Sequence, residues 1–261
     1  MSSTLRFTLA AAAMIAAAQT AQAGTLLGLT ADNTLVRIDT ETRRAAPPLR
    51  ITGADGRLLG IDQRPQDGRI YGVTERGQIV TVDPMTGAAT QVSRLSMPFE
   101  SGGRAVVDFN PVANRLRLMG MSGVNLRVNV ETGEAMRDGD LKYQQGSPLA
   151  ETRPRIVAGA YTNSMGGAQA TALYTLDTLV GSFNLQAPPN DGVQQVKGMV
   201  GMALPAGAAF DILAGEGGAN TGYVLAAGTL HMVNLENGTL TAAGAVSGLP
   251  QAEIVDIAAV R

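Results

Sequence analysis

The sequence predicts an all-β fold, a five-bladed β-propeller whose C-terminal strand completes the first blade. Three observations carry this expectation: a self-similarity with a period near 46 residues, five copies of one strand-and-turn pattern, and a strand pattern left over at the C-terminus. A period of that size is one four-stranded propeller blade.

The period is clearest where Asp62, Pro65 and Arg69 recur as Asp108, Pro111 and Arg115. The same offset then links Gly77 to Gly123, Val82 to Val128, Thr86 to Thr132 and Gly87 to Gly133 without a gap. Copies of an apolar alternation that runs into Asp or Asn stand at 35–39, 79–83, 126–129, 173–177 and 230–234. Alternation with period two gives a strand with two unlike faces, and Asp or Asn followed by Thr-Gly or Asn-Gly gives the turn that returns the chain. The closing residues Asp39, Asp83, Asn129, Asp177 and Asn234 lie 44, 46, 48 and 57 residues apart, which places the longest loop between the fourth and fifth copies.

A second strand pattern precedes four of these copies, at 58–62, 105–108, 156–159 and 209–211. The fifth stands at the other end of the chain, at 253–257, so the ring is expected to close through it. Closure leaves only short protected edges, which suits an all-β chain with no cysteine. No helical period stands out after Gly24. Length alone would also fit a two-domain sandwich or a six-bladed ring.

The first residues point to export. A short basic start ending at Arg6 leads into an apolar run over 7–18, too short to span a bilayer, and then Ala21-Gln22-Ala23, a small-x-small cleavage pattern. Residues 1–23 therefore read as a signal peptide and 24–261 as a single propeller domain, periplasmic or secreted. Without that leader the chain carries 19 basic and 22 acidic side chains, a balance that offers no electrostatic footprint for nucleic acid, and no later run could insert in a membrane. The absence of cysteine removes disulfides, thiolate metal sites and cysteine nucleophiles. No cofactor motif is present, and a monomer is expected.

Carboxylates recur at Asp62, Asp108, Asp211 and Asp256, at matching points of four inner strands, with Gly159 on the fifth. Gathered near an axis, they could hold a hard cation through oxygen ligands or brace strands by accepting backbone N–H bonds. His231 is the only histidine, so no histidine cluster can form, and repeat alignment puts it in the core. The glycine-rich stretch 215–222 lacks a lysine and a following helix and reads as a hairpin loop.

The third blade departs from this pattern. Arg115, Arg117 and Arg127 crowd adjacent strands beside Asn110, Asn125 and Asn129, and guanidinium forks with amides suit carboxylate, phosphate or peptide-backbone recognition. Arg117 replaces Tyr71 and Arg127 replaces Thr81 of the preceding blade, so the blade fold as such does not demand them.

Those residues lie in motifs that resemble a known family. Val107-Asp108-Phe109-Asn110-Pro111, Arg115-Leu116-Arg117, Asn125-Leu126-Arg127-Val128-Asn129, Ala160-Tyr161-Thr162-Asn163-Ser164 and Gln186-Ala187-Pro188-Pro189-Asn190 are similar to the bacterial family called domain of unknown function 4394. The resemblance covers residues 24–261 and implies a secreted, propeller-like fold. Asp191 departs from it, where a second asparagine is expected before Gly192. Placed on the repeat, the motifs predict one polar pocket at the junction of the third and fourth blades, built from Asn110, Arg115, Arg117, Asn125, Arg127, Tyr161, Asn163 and Asn190, for an anionic or amide-bearing ligand.

The expected function is thus a non-catalytic module of the cell envelope that binds a small-molecule or protein ligand. The alternative is a periplasmic hydrolase of the five-bladed glycosidase type, using axial carboxylates.

Overall fold

The computed structural model of the protein describes residues 24–205 and 207–261. The expected signal peptide, residues 1–23, lies outside the described residues. No helix among them is long and apolar enough to cross a membrane.

Five separate sheets of four to five strands make the blades, numbered here in chain order of their second strands. Blade 1 runs from its innermost strand Ile254–Val260 outward through Thr25–Thr30, Thr34–Asp39 and the short Arg44–Ala45. Blade 2 comprises Leu58–Gln63, Ile70–Thr74, Gln78–Val82 and Ala89–Arg94. Blade 3 comprises Ala105–Asn110, Arg115–Gly120, Asn125–Val128 and Ala135–Arg137. Blade 4 comprises Ile156–Tyr161, Leu173–Asp177, Ser182–Gln186 and Val193–Met199, with Lys142–Tyr143 added in parallel on its outer edge. Blade 5 comprises Ala209–Ala214, Asn220–Ala226, Thr229–Val233 and Leu240–Ala245. The inner strands touch in a closed circle, each contacting the next and the fifth contacting the first.

The predicted closure is present. Ile254–Val260 pairs antiparallel with Thr25–Thr30, Leu27 opposite Ala258 and Leu29 opposite Asp256, so the two ends of the chain share one sheet. Apolar residues fill the wedges between blades. Tyr71 meets Phe109 edge-on at 5.4 Å between blades 2 and 3, and Phe183 meets Phe210 edge-on at 5.9 Å between blades 4 and 5. Rings at such distances and angles add to the area they bury.

The repeated turn has one physical cause in three blades. Asp83, Asn129 and Asn234 each accept, through a side-chain oxygen, the N–H of the residue two further on, at 2.7, 3.0 and 2.8 Å. Each also accepts, through its carbonyl, the N–H of the glycine four further on, Gly87, Gly133 and Gly238. Those glycines have φ of 74°, 77° and 75°, the left-handed region that an L side chain resists. The Asn-Gly pair at 237–238 thus ends a longer loop, with left-handed backbone at Gly238 alone.

One part of the repeat is shifted relative to the sequence expectation. In blades 1, 2, 3 and 5 the alternating pattern is the third strand, whereas Leu173–Asp177 is the second strand of blade 4. The true third strand is Ser182–Gln186, which alternates as Ser-Phe-Asn-Leu-Gln but runs on into Ala187-Pro188, whereas Leu173–Asp177 ends on an aspartate, as the other copies close on Asp or Asn. The extra residues therefore do not sit between the fourth and fifth copies. They form the 138–155 connection into blade 4 and the 162–172 loop after its inner strand.

Candidate functional site

The axial carboxylates are the most deeply buried charged groups of the inner ring, with Asp62, Asp108, Asp211 and Asp256 exposed by 6%, 3%, 4% and 7%. Each accepts a backbone N–H from the inner strand of the next blade. Asp256 takes Ile61 N–H at 2.9 Å, Asp62 takes Phe109 N–H at 2.7 Å, Asp108 takes Tyr161 N–H at 2.9 Å and Asp211 takes Ala259 N–H at 2.5 Å. The free oxygens of Asp62, Asp211 and Asp256 turn back onto their own strands, accepting from Gln63, Ile212 and Ile257. A glycine makes room for this: a Cβ on Gly60 would lie 2.6 Å from the Asp256 carboxylate.

Three of these groups crowd together, with one oxygen each of Asp62, Asp108 and Asp211 within 4.8 Å of one another. Like charges at that spacing cannot all ionise in a buried place. Burial, reinforced by the neighbouring carboxylates, holds Asp62 and Asp108 well above the usual carboxylate range, and burial pushes Asp211 up to about 7. Asp256 is raised by burial as well. The cluster therefore keeps its protons to higher pH than free carboxylates do. It braces the blades, and a hard cation could enter only by displacing those protons. The carboxylates that a glycosidase would need are closed off from solvent and engaged by backbone donors.

Arg117 is the node of the second group. Its side chain is 2% exposed, and its Nη1 pairs with the buried Asp138 carboxylate at 2.7 Å. It also donates to Tyr161 Oη at 3.2 Å, Asn125 Oδ1 at 2.9 Å and Asn190 Oδ1 at 2.8 Å. Asn125 passes the linkage on, donating to the carbonyls of Gly139 and Pro189. Arg127, half-buried, directs its Nε–H between both oxygens of the same Asp138, at 3.0 and 2.8 Å. Four of the five guanidinium donors of Arg117 thus face acceptors of the protein itself.

The eight predicted residues do not form one cluster. The structure brings together Arg117, Asn125, Arg127, Tyr161 and Asn190 where blade 4 leans on blade 3. Asn163 faces blade 5, accepting from and donating to Asn220 at 2.8 and 2.7 Å. Arg115 is exposed on the first turn of blade 3 and donates to the Asn114 carbonyl. Asn110 starts that turn and caps it, accepting from the N–H groups of Val112 and Ala113.

Asn110 also lines an open pocket of about 570 Å³, where the first loops of blades 2, 3 and 4 meet. Pro65 and Pro111 frame it, and Gln66, Asn110, Asn114 and Gln169 supply amides. The long loop of blade 4 reaches across to blade 2, so near that a Cβ on Gly166 would lie 3.2 Å from the Pro65 carbonyl oxygen. Arg64, buried below, fixes the rim by donating to Asn114 at 2.9 Å, Gln66 at 3.4 Å and Glu131 at 2.9 Å.

Sequence reasoning missed Asp138 and Arg64, the two partners that decide what the polar groups around them can do. Asp138 lies in a connection outside the repeat, so periodicity gave no signal for it. Arg64 belongs to the Asp62-Gln63-Arg64-Pro65 motif, but the third blade has Asn110 in its place, so the comparison of copies did not mark it.

No curated protein matches the chain. Among solved structures it is similar to a protein of unknown function from Bacteroides thetaiotaomicron, at 16% identity over 92% of this chain and 65% of that one, with a TM-score of 0.52. The chain thus spans less than two thirds of that protein's length. It is also similar to a protein of unknown function from Bacteroides caccae, at 11% identity over 92% of this chain and all of that one, with a TM-score of 0.48. A third is the β-propeller domain of Cps50 (Swd1) from Myceliophteria thermophila, at 16% identity over 84% and 67% of the two chains, with a TM-score of 0.45. At these identities the likeness concerns the fold alone. The family described as Domain of unknown function (DUF4394) matches residues 34–258, nearly the whole of the propeller, and the chain belongs to that family.

Proposed function

We propose that this protein is an exported, non-catalytic, monomeric propeller of the periplasm or cell surface that binds an amide-bearing ligand, such as a peptide segment, where the first loops of blades 2, 3 and 4 meet. The observation that carries this reading is the set of amide groups left over in that pocket. Asn110 Nδ2, Gln66 Nε2 and Gln169 Oε1 have no hydrogen-bond partner among the described residues, although their sister atoms are engaged. Two donors and an acceptor on a proline-framed rim complement the alternating C=O and N–H of a peptide backbone. Loops on a rigid ring are also where propellers have freedom to carry a site.

Of the two ligand classes expected from the sequence, the amide-bearing one fits better. Arg117 and Arg127 are turned onto Asp138, and an anion would have to displace a buried carboxylate to reach them. Here Arg117, Asn125, Tyr161 and Asn190 act as the support that holds blade 4 in place behind the pocket.

The test is titration of the purified protein with acetylated, amidated oligopeptides, followed by NMR of the side-chain amides. Shifts at Asn110, Gln66 and Gln169 that are lost in Asn110→Ala and Gln169→Ala but kept in Arg115→Ala support the site. Peptides that shift none of these three amides sink it. Export is checked separately: the N-terminus of the exported protein should read Gly24-Thr25-Leu26, and an intact Met1 in the exported fraction would exclude the cleavage.

A further inference from the structure

A second groove, of about 660 Å³, opens between blades 1 and 2, beside the seam where the two ends of the chain meet. It is separate from the amide-lined pocket and shares no residue with it. Leu27, Ile70 and Val260 form an apolar floor, and the arginines Arg37, Arg69 and Arg261 stand around it. Asp83 supplies the one carboxylate side chain of the lining, and its Oδ1 is occupied by the Met85 N–H.

Two of the arginines are the informative ones. Arg37 comes from the third strand of blade 1 and Arg69 from the first turn of blade 2, so the groove lies between guanidinium groups of adjacent blades. Neither forms an ion pair among the described residues, unlike Arg64 and Arg117, which each hold a carboxylate. Among the described residues the Arg37 guanidinium donates only to the Met85 sulfur, a weak acceptor, and the Arg69 side chain has no hydrogen bond. Guanidinium groups without an anion, set over a floor of aliphatic side chains, complement a ligand that joins a carboxylate to an apolar body.

We infer that the groove between blades 1 and 2 binds a small carboxylate carrying an apolar chain, with Arg37 and Arg69 receiving the carboxylate. Octanoate is the probe, titrated calorimetrically into the purified protein beside octan-1-ol and octylamine. Octanoate should bind, the two uncharged or cationic analogues should bind at least about tenfold more weakly, and Arg37→Gln and Arg69→Gln should each weaken octanoate about tenfold, the effect of losing one charge-assisted hydrogen bond. Both side chains are exposed, so the variants should keep the wild-type melting temperature. Wild-type affinity should also fall as sodium chloride is raised, a readout that needs no variant.

Octan-1-ol binding as tightly as octanoate would reduce the groove to an apolar slot and overturn the inference. So would equal octanoate binding by the wild type and the double variant, a salt-independent affinity, or no saturable binding up to about 10 mM. None of these results bears on the amide pocket, whose probes and variants are different.

Discussion

Four seams of the ring are joined by a buried carboxylate and one is not. Asp256, Asp62, Asp108 and Asp211 carry the joints from blade 1 to 2, 2 to 3, 3 to 4 and 5 to 1. Between blades 4 and 5 the inner strand offers Gly159, where even a Cβ would lie 3.1 Å from the Tyr174 carbonyl oxygen and 3.3 Å from a Val106 methyl group. That seam relies instead on stacked and edge-on rings, Tyr174 on Phe183 on Phe210, and on the reciprocal amide pair of Asn163 and Asn220. Blade 4 is also held from its other side by Arg117 and by the added strand Lys142–Tyr143. The difference teaches that the repeat supplies a default joint, and that the blade departing from it is secured by polar groups outside the repeat.

The largest effect should come from removing a whole joint. Deleting residues 251–261 takes away the inner strand of blade 1 with Asp256 and opens the edge of Thr25–Thr30, so the truncated protein should aggregate. A soluble truncation that melts like the wild type would refute closure through this strand.

Next comes the support of the exceptional blade. Arg117→Ala leaves Asp138 at 5% exposure with only Arg127 to answer it, and strips Asn125, Tyr161 and Asn190 of a donor. Breaking a buried pair in this way costs about 3–5 kcal/mol, which chemical denaturation will measure. A loss under about 1 kcal/mol would show that blade 4 stands without the node.

A default joint is tested by Asp62→Ala, which orphans the N–H groups of Gln63 and Phe109 and should cost about 2–3 kcal/mol. Asp62→Asn keeps an acceptor oxygen and relieves the crowding with Asp108 and Asp211, so it should stay within about 1 kcal/mol of the wild type. If the amide variant is as damaging as alanine, the joint depends on charge and not on hydrogen bonding.

The same joints should make stability depend on pH in an unusual sense. Asp211, ordinarily near 3.8, is pushed up to about 7 by burial, so between those values the folded protein keeps a proton that the unfolded chain has released. Its contribution is complete below about 3.8 and lost as pH rises to about 7. Asp62, Asp108 and Asp256 are raised too and act in the same direction. The melting temperature should fall between about pH 5 and pH 7.5, with a smaller slope in Asp211→Asn; a rising curve would show that these carboxylates are ionised at the axis.

The smallest effect belongs to the seam without a carboxylate. Asn163→Ala removes the acceptor of Asn220 Nδ2 and the donor to the Ala170 carbonyl, keeps the backbone N–H on Asn220 Oδ1, and places alanine at a φ of 57°, which should cost about 1–2 kcal/mol, or roughly 2–8 °C in melting temperature. It should leave the pH dependence unchanged, because no titrating group is touched.

Much of the ring is written in local order. The offset from Asp62 to Asp108, the turns ending at Gly87, Gly133 and Gly238, and the leftover strand before Arg261 suffice for five blades and their closure, because strand alternation and left-handed glycine are properties of neighbouring residues. Blade 4 was misread by one strand for the same reason: Leu173–Asp177 ends on an aspartate, the kind of residue that marks the turn in other copies, while the true third strand Ser182–Gln186 alternates but runs on into Ala187-Pro188 without that local mark. What Asp62, Asp108 and Arg117 do could not be read that way. The carboxylate of Asp108 suits a cation as well as a strand, and its role was fixed only when the Tyr161 N–H was brought to it from 53 residues away; Arg117 was as fit for a ligand as for Asp138. Side-chain chemistry is a property of the residue, whereas its partner is chosen by packing, and only the tertiary structure closed Arg117 on Asp138 and left Arg37 and Arg69 open.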